Sequence, residues 1–200
     1  MKGCTKGWTA VLPMVCALLP LWFSAAAAAV VPTAEVRAGT HAPSTPVQVE
    51  AALLSGVVLQ DEQGRAVELH AALGQPGPVF LNFVFTSCDA VCPVMTAIFA
   101  RLDRQLRARG HEARLYSVSI DPLHDTPARL REYAAEHGAS SHWRFLTGSV
   151  AASERVQRAF GAWRADRMNH SVATYYRAGP GAGWVRVDGF VPAETLLAMQ

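Results

Sequence analysis

Two cysteines, Cys88 and Cys92, stand with three residues between them, directly after the apolar run VFLNFVF at 79–85. Thiols placed this way can close a disulfide, exchange electrons with a partner's thiols, or hold a soft metal ion. Four residues of helix rise about 6 Å and bring positions i and i+4 onto one face, near the upper end of the roughly 4.4–6.8 Å Cα separation of a disulfide. Oxidation and chelation are therefore both within reach. A structural staple is the poorer explanation, because closing so short a loop removes little entropy from the unfolded chain. A strand-to-helix junction also favours negative charge through free N–H groups and the helix dipole, so a thiolate forms there below the free-cysteine pKa of about 8.5.

The third candidate is His170, in the stretch Met168-Asn169-His170-Ser171 ahead of a strand expected over 172–177. Two thiolates and one imidazole make a soft donor set suited to Cu(I), with Cu(II) accessible. Zinc accepts the same donors with a water as the fourth. Other candidates have simpler explanations. His124 lies among Asp121 and Asp125 in a run that a turn and a helix cap explain, and Met95 falls on the apolar stripe of the helix after Cys92. Asp103 and Asp166 lack the second carboxylate that general acid and base work needs.

The elements that must position these residues alternate. A hairpin is expected over 56–69, then a buried strand at 79–85 and, after the stretch that ends at Pro93, a helix to about 109. Arg101, Arg104 and Arg107 lie off that helix's apolar stripe, as solvated charges. A strand at 114–120 follows, and then a helix to about 137 with Thr126 as cap and Pro127 in its first turn. A strand at 143–147, a helix at 149–162, a hairpin of 172–177 with 184–187 and a last helix at 192–199 complete the chain. The class is α/β, a mixed sheet flanked by helices. A cysteine pair between strand and helix after a hairpin suggests a thioredoxin-like fold, with two departures. Thioredoxins use two intervening residues, and they place a cis-proline where this chain has His170; no proline occurs between Pro127 and Pro180.

Composition narrows the function. The formal charge is +2, and the two lysines, Lys2 and Lys6, both lie at the N-terminus. Beyond them the charges balance, which leaves no basic surplus for nucleic acid. Schiff-base chemistry and the P-loop lysine are excluded from that part, and neither glycine-rich nucleotide fingerprint occurs. The first residues read as an export signal: a positive start, an apolar stretch at 8–23, and the small residues of 24–29 with A-x-A cleavage choices. The uncharged stretch 8–31 is also long enough for an uncleaved membrane anchor. Cys16 is preceded by Pro13, Met14 and Val15 rather than a small residue, which argues against a lipid anchor there. The expected organisation is a signal peptide or anchor at 1–29, a flexible Ala/Pro/Thr-rich linker at 30–52 and one domain at 53–200, exported to the periplasm with membrane contact through the N-terminal segment. Once the first segment is set aside, Cys88 and Cys92 are the cysteines that remain.

Three stretches taken together resemble the Sco/SenC family: FTSCDAVCP at 85–93, SVSIDPLHDTP at 117–127 and NHS at 169–171. The likeness runs from about residue 56 to the C-terminus, in order and at suitable separations. It implies a thioredoxin-like copper protein of the periplasm or mitochondrial intermembrane space. Such a protein serves assembly of the dinuclear copper centre of cytochrome c oxidase, with a subunit of that enzyme as the copper-receiving client. Cys88, Cys92 and His170 would be the copper ligands, and Cys88 with Cys92 the redox-active disulfide when oxidised. Asp89 replaces the proline usual after the first cysteine, and Asn169 the acidic residue common before the histidine. Neither change removes a ligand. A thiol-disulfide oxidoreductase with a thiol partner protein would use the same pair, His170 then tuning the thiolates rather than binding metal. A peroxidase pattern is not met, because Thr86 lies two rather than three residues before Cys88.

Overall fold

The computed structural model describes residues 44–200; the expected export signal and most of the expected linker lie outside the described residues. Among these residues eight strands form one mixed sheet in the order β1-β8-β7-β4-β5-β6-β2-β3. At its centre β4 (Val79–Val84) runs parallel to β5 (Arg114–Ser119), and β5 runs parallel to β6 (Trp143–Thr147). β7 (Ala173–Arg177) pairs antiparallel with β4 and with β8 (Trp184–Asp188), the terminal hairpin. The hairpin of β2 (Val58–Asp61) and β3 (Ala66–Glu68) is added antiparallel to β6.

Every residue of β4 is buried because both faces of the sheet are covered. On one face Val79, Leu81 and Phe83 pack with α1 (Ala51–Leu54), α2 (Leu69–Gly74) and α5 (Val150–Ala159). On the other, Phe80 packs with α3 (Cys92–Ala108), α4 (Pro127–Glu136) and α6 (Ala193–Leu197). The polar Asn82 is accommodated by a donor: Ser117 Oγ gives it a hydrogen bond of 2.7 Å and itself receives one from Trp143 Nε1 at 2.9 Å. None of the helices among the described residues is long and apolar enough to cross a membrane.

The composition that predicts a linker up to residue 52 conceals an edge strand. Ser44–Val47 is β1, antiparallel to β8, and α1 begins at Ala51. Ser44, Thr45 and Pro46 are exposed and hydrogen bonding is to one neighbour alone, so no hydrophobic alternation marks the strand.

Candidate metal and thiol site

The topology brings three separated segments to one edge of the sheet. Val84 and Ser119 are paired at the carboxyl ends of β4 and β5, so the loops at 85–91 and 120–126 leave side by side. β7 runs the other way, with Thr174 opposite Asn82, so the chain entering it arrives at the same edge. A single 3₁₀ turn, Arg167–Asn169, precedes His170. Asp166 secures that turn by accepting hydrogen bonds from the Met168 N–H (2.9 Å) and Asn169 Nδ2 (3.1 Å).

The cysteines do not share a helical face as their spacing suggests. Cys92 is the first residue of α3, and Cys88 lies in the loop before it, where its N–H donates to Phe85 O at 3.2 Å. Pro93 explains the difference: its ring is tolerated in a first helical turn but would clash with the Asp89 carbonyl if the helix began earlier. Val91, at the cap position, has no side chain able to receive the free N–H groups. The sulfur takes that role, and the Cys92 N–H points at Cys88 Sγ from 3.4 Å.

This arrangement separates the two thiols chemically. Burial works against a Cys88 thiolate, but the N–H groups of Cys92, Ala90 and Val91, with the Cys92 thiol, outweigh it and hold the Cys88 pKa below the ordinary thiol value. For Cys92, burial dominates; with Cys88 and the Asp125 charge adding to it, the pKa is pushed up to about 12. Of the two buried thiols, Cys88 is therefore the one that ionises more readily and Cys92 the one held protonated beside it. Both are free in this structure.

His170 Nε2 is 3.8 Å from Cys92 Sγ, and its ring meets Phe85 edge-on at 5.4 Å. The structure thus brings His170 to the cysteine loop. The donors fit a soft ion by type, two sulfurs and an imidazole. Among the described residues no three such side chains are yet drawn to ligand spacing, so binding would require His170 and the thiols to close. The other candidates are engaged elsewhere. His124 is 63% exposed and pairs with Asp121 at 3.0 Å, and Met95 is buried in the core with α3. Arg101 pairs with Glu194 at 2.5 Å, and Asp103 accepts from Ser140 Oγ at 2.6 Å.

Sequence reasoning missed Asp125. It is fully buried and accepts hydrogen bonds from Thr86 Oγ1 (2.6 Å), the Thr86 N–H (3.1 Å) and Ser119 Oγ (2.6 Å). In the linear sequence it reads as the flank of the Thr126 cap. The signals that could have found it are its place in the stretch 117–127 that carries the family resemblance and the parallel pairing of β4 with β5, which brings its loop beside Thr86.

Comparison with known proteins places these features in a family. The SCO1/SenC family model matches residues 49–178. An SCO1 protein homolog of Bacillus subtilis (strain 168) is 34% identical over 131 residues, 60% of this chain and 65% of that protein. A Stutzerimonas stutzeri protein named for copper binding is 34% identical over 82 residues, 40% of this chain and 39% of its own length. Both matches thus span less than two thirds of the relatives' length. Among solved structures, BsSco superposes with a TM-score of 0.64 at 27% identity, covering 78% of this chain and 93% of that one; it is described as having a disulfide switch and as a member of the Sco family of cytochrome c oxidase assembly proteins. The fold is thioredoxin-like, and the chain belongs to the SCO1/SenC family.

Proposed function

We propose that the chain is an exported copper metallochaperone that holds copper through Cys88, Cys92 and His170 and passes it to a client protein during assembly of a copper centre, that of cytochrome c oxidase. The observation that carries this is the convergence of the β4–α3 loop with the β7 approach, which leaves Cys92 Sγ 3.8 Å from His170 Nε2. Copper is cargo here. The two sulfurs supply soft, anionic donation and the imidazole a neutral donor that serves both oxidation states of the metal. Release follows from the same chemistry: a Cys88–Cys92 disulfide has no thiolate to donate, so oxidation by a partner disulfide expels the metal. Export to the periplasm, by a cleaved signal peptide rather than a retained anchor, completes the reading.

The test is to load the reduced protein anaerobically with Cu(I) and compete it against a chelator. One ion per chain is expected, lost in the Cys88→Ser, Cys92→Ser double variant and weakened by orders of magnitude in His170→Ala. Normal copper retention in the double variant would sink the proposal.

The inequality of the two thiols favours a second reading, a thiol-disulfide oxidoreductase with Cys88 attacking and the buried Cys92 resolving. In that case His170→Ala leaves disulfide exchange largely intact and copper binding is weak in every variant.

A further inference from the structure

Among the buried aspartates of the described residues, Asp61 and Asp125, each 0% exposed, are held on opposite terms. Asp61 is matched by two guanidinium groups, those of Arg65 and Arg144. The hydrogen bonds that Asp125 accepts come from neutral donors instead, Thr86 and Ser119. A carboxylate buried on neutral donors is costly, and filling a gap in the fold would not require one. Its placement matters because of what it holds. Thr86 stands two residues before Cys88, and its hydroxyl also receives a hydrogen bond from Arg129 Nε at 3.1 Å. The adjacent Phe85 accepts the Cys88 N–H and carries the His170 ring. One carboxylate therefore fixes the stretch from which Cys88 hangs and against which His170 rests.

We propose that Asp125 is a positioning residue for the cysteine site: by clamping Thr86 to the end of β5 it sets where Cys88, Cys92 and His170 stand relative to one another. The inference rests on Cys88 and Cys92 being the working groups, whichever of metal binding or thiol exchange is their task. Asp125→Ala frees the loop. Asp125→Asn keeps an oxygen to receive both Thr86 donors while removing the charge.

The full chain is equilibrated, copper-free, in glutathione redox buffers, and separately loaded with Cu(I) against a chelator. Asp125→Ala is expected to move the thiol–disulfide equilibrium about tenfold toward the dithiol, about 30 mV for a two-electron couple. It is also expected to weaken Cu(I) retention about tenfold, while Asp125→Asn stays within about threefold of the unaltered protein on both readings. An unmoved equilibrium in Asp125→Ala overturns the proposal, as does an equal shift in Asp125→Asn, which would mean charge rather than placement. If Asp125→Ala does not fold, Thr86→Val decides, with a shift of about threefold in the same direction expected from the lost hydroxyl and no shift overturning it. Unaltered protein that never retains Cu(I) would sink the copper reading alone, and the glutathione equilibrium still tests this one.

Discussion

The two loops that leave the carboxyl edge of the sheet side by side are built in opposite ways. The loop at 120–126 is bonded within itself: His124 and Asp125 donate their N–H groups to Asp121 O at 3.0 and 2.9 Å, and Ser119 Oγ accepts the Asp121 N–H at 3.0 Å. It ends in a capped helix, with Thr126 Oγ1 receiving the Arg129 N–H at 3.3 Å. In the loop at 85–91, Val91 cannot cap α3, and Cys88 Sγ receives the helix's free N–H group. A Ser or Asp at position 91 would compete for the donors that hold the Cys88 thiolate. The contrast teaches that the loop bearing Cys88 offers its helix end a sulfur where its neighbour offers a hydroxyl, and that the neighbour ties the two loops together through Asp125.

The difference can be sharpened first at the thiols. With its pKa pushed up to about 12, Cys92 remains a thiol at pH 8, whereas Cys88, held below the ordinary value, is already ionised to a greater extent. Because the thiolate is the nucleophile, alkylation at pH 8 should strike Cys88 at least about a hundredfold faster than Cys92. The Cys88 rate should rise with pH through a midpoint below that of a free thiol and then level off, and Cys92 should respond only as the pH approaches 12. Mass spectrometry of partly alkylated protein reads both sites, and equal labelling would erase the distinction between them.

Next in size is the capped loop. Thr126→Ala removes a helix cap that makes a real hydrogen bond, and chemical denaturation should show a loss of about 1 kcal/mol. The smallest effect is expected from the converse change. Val91→Ser offers α3 a cap of its own and should add about 0.5 kcal/mol at most, because Val91 has helical backbone angles (φ −93°, ψ −30°) rather than the extended ones a cap prefers. It should also raise the pH at which Cys88 becomes reactive, by drawing N–H groups away from the sulfur. A Cys88 profile that does not move would show that those N–H groups are not what stabilises the thiolate.

Legibility in the sequence followed the physics of each element. VFLNFV could be read as a central strand because burial on both faces leaves an unbroken apolar run, and Thr126-Pro127 announces a helix start by side chains that act locally. Cys88, Cys92 and His170 stood out in the sequence by type, and the strand order explains why the segments that carry them reach one edge of the sheet. What stayed hidden depends on contacts between distant segments. β1 takes its register from β8, and Asp125 reaches 39 residues back to Thr86.

The central claim is that three side chains from two segments form one soft site. X-ray absorption at the copper edge of the reduced, Cu(I)-loaded protein tests it most directly. Two sulfur scatterers and one imidazole nitrogen are predicted, with the nitrogen signal lost in His170→Ala. A sulfur-only shell, or an imidazole signal that persists in His170→Ala, would contradict the account.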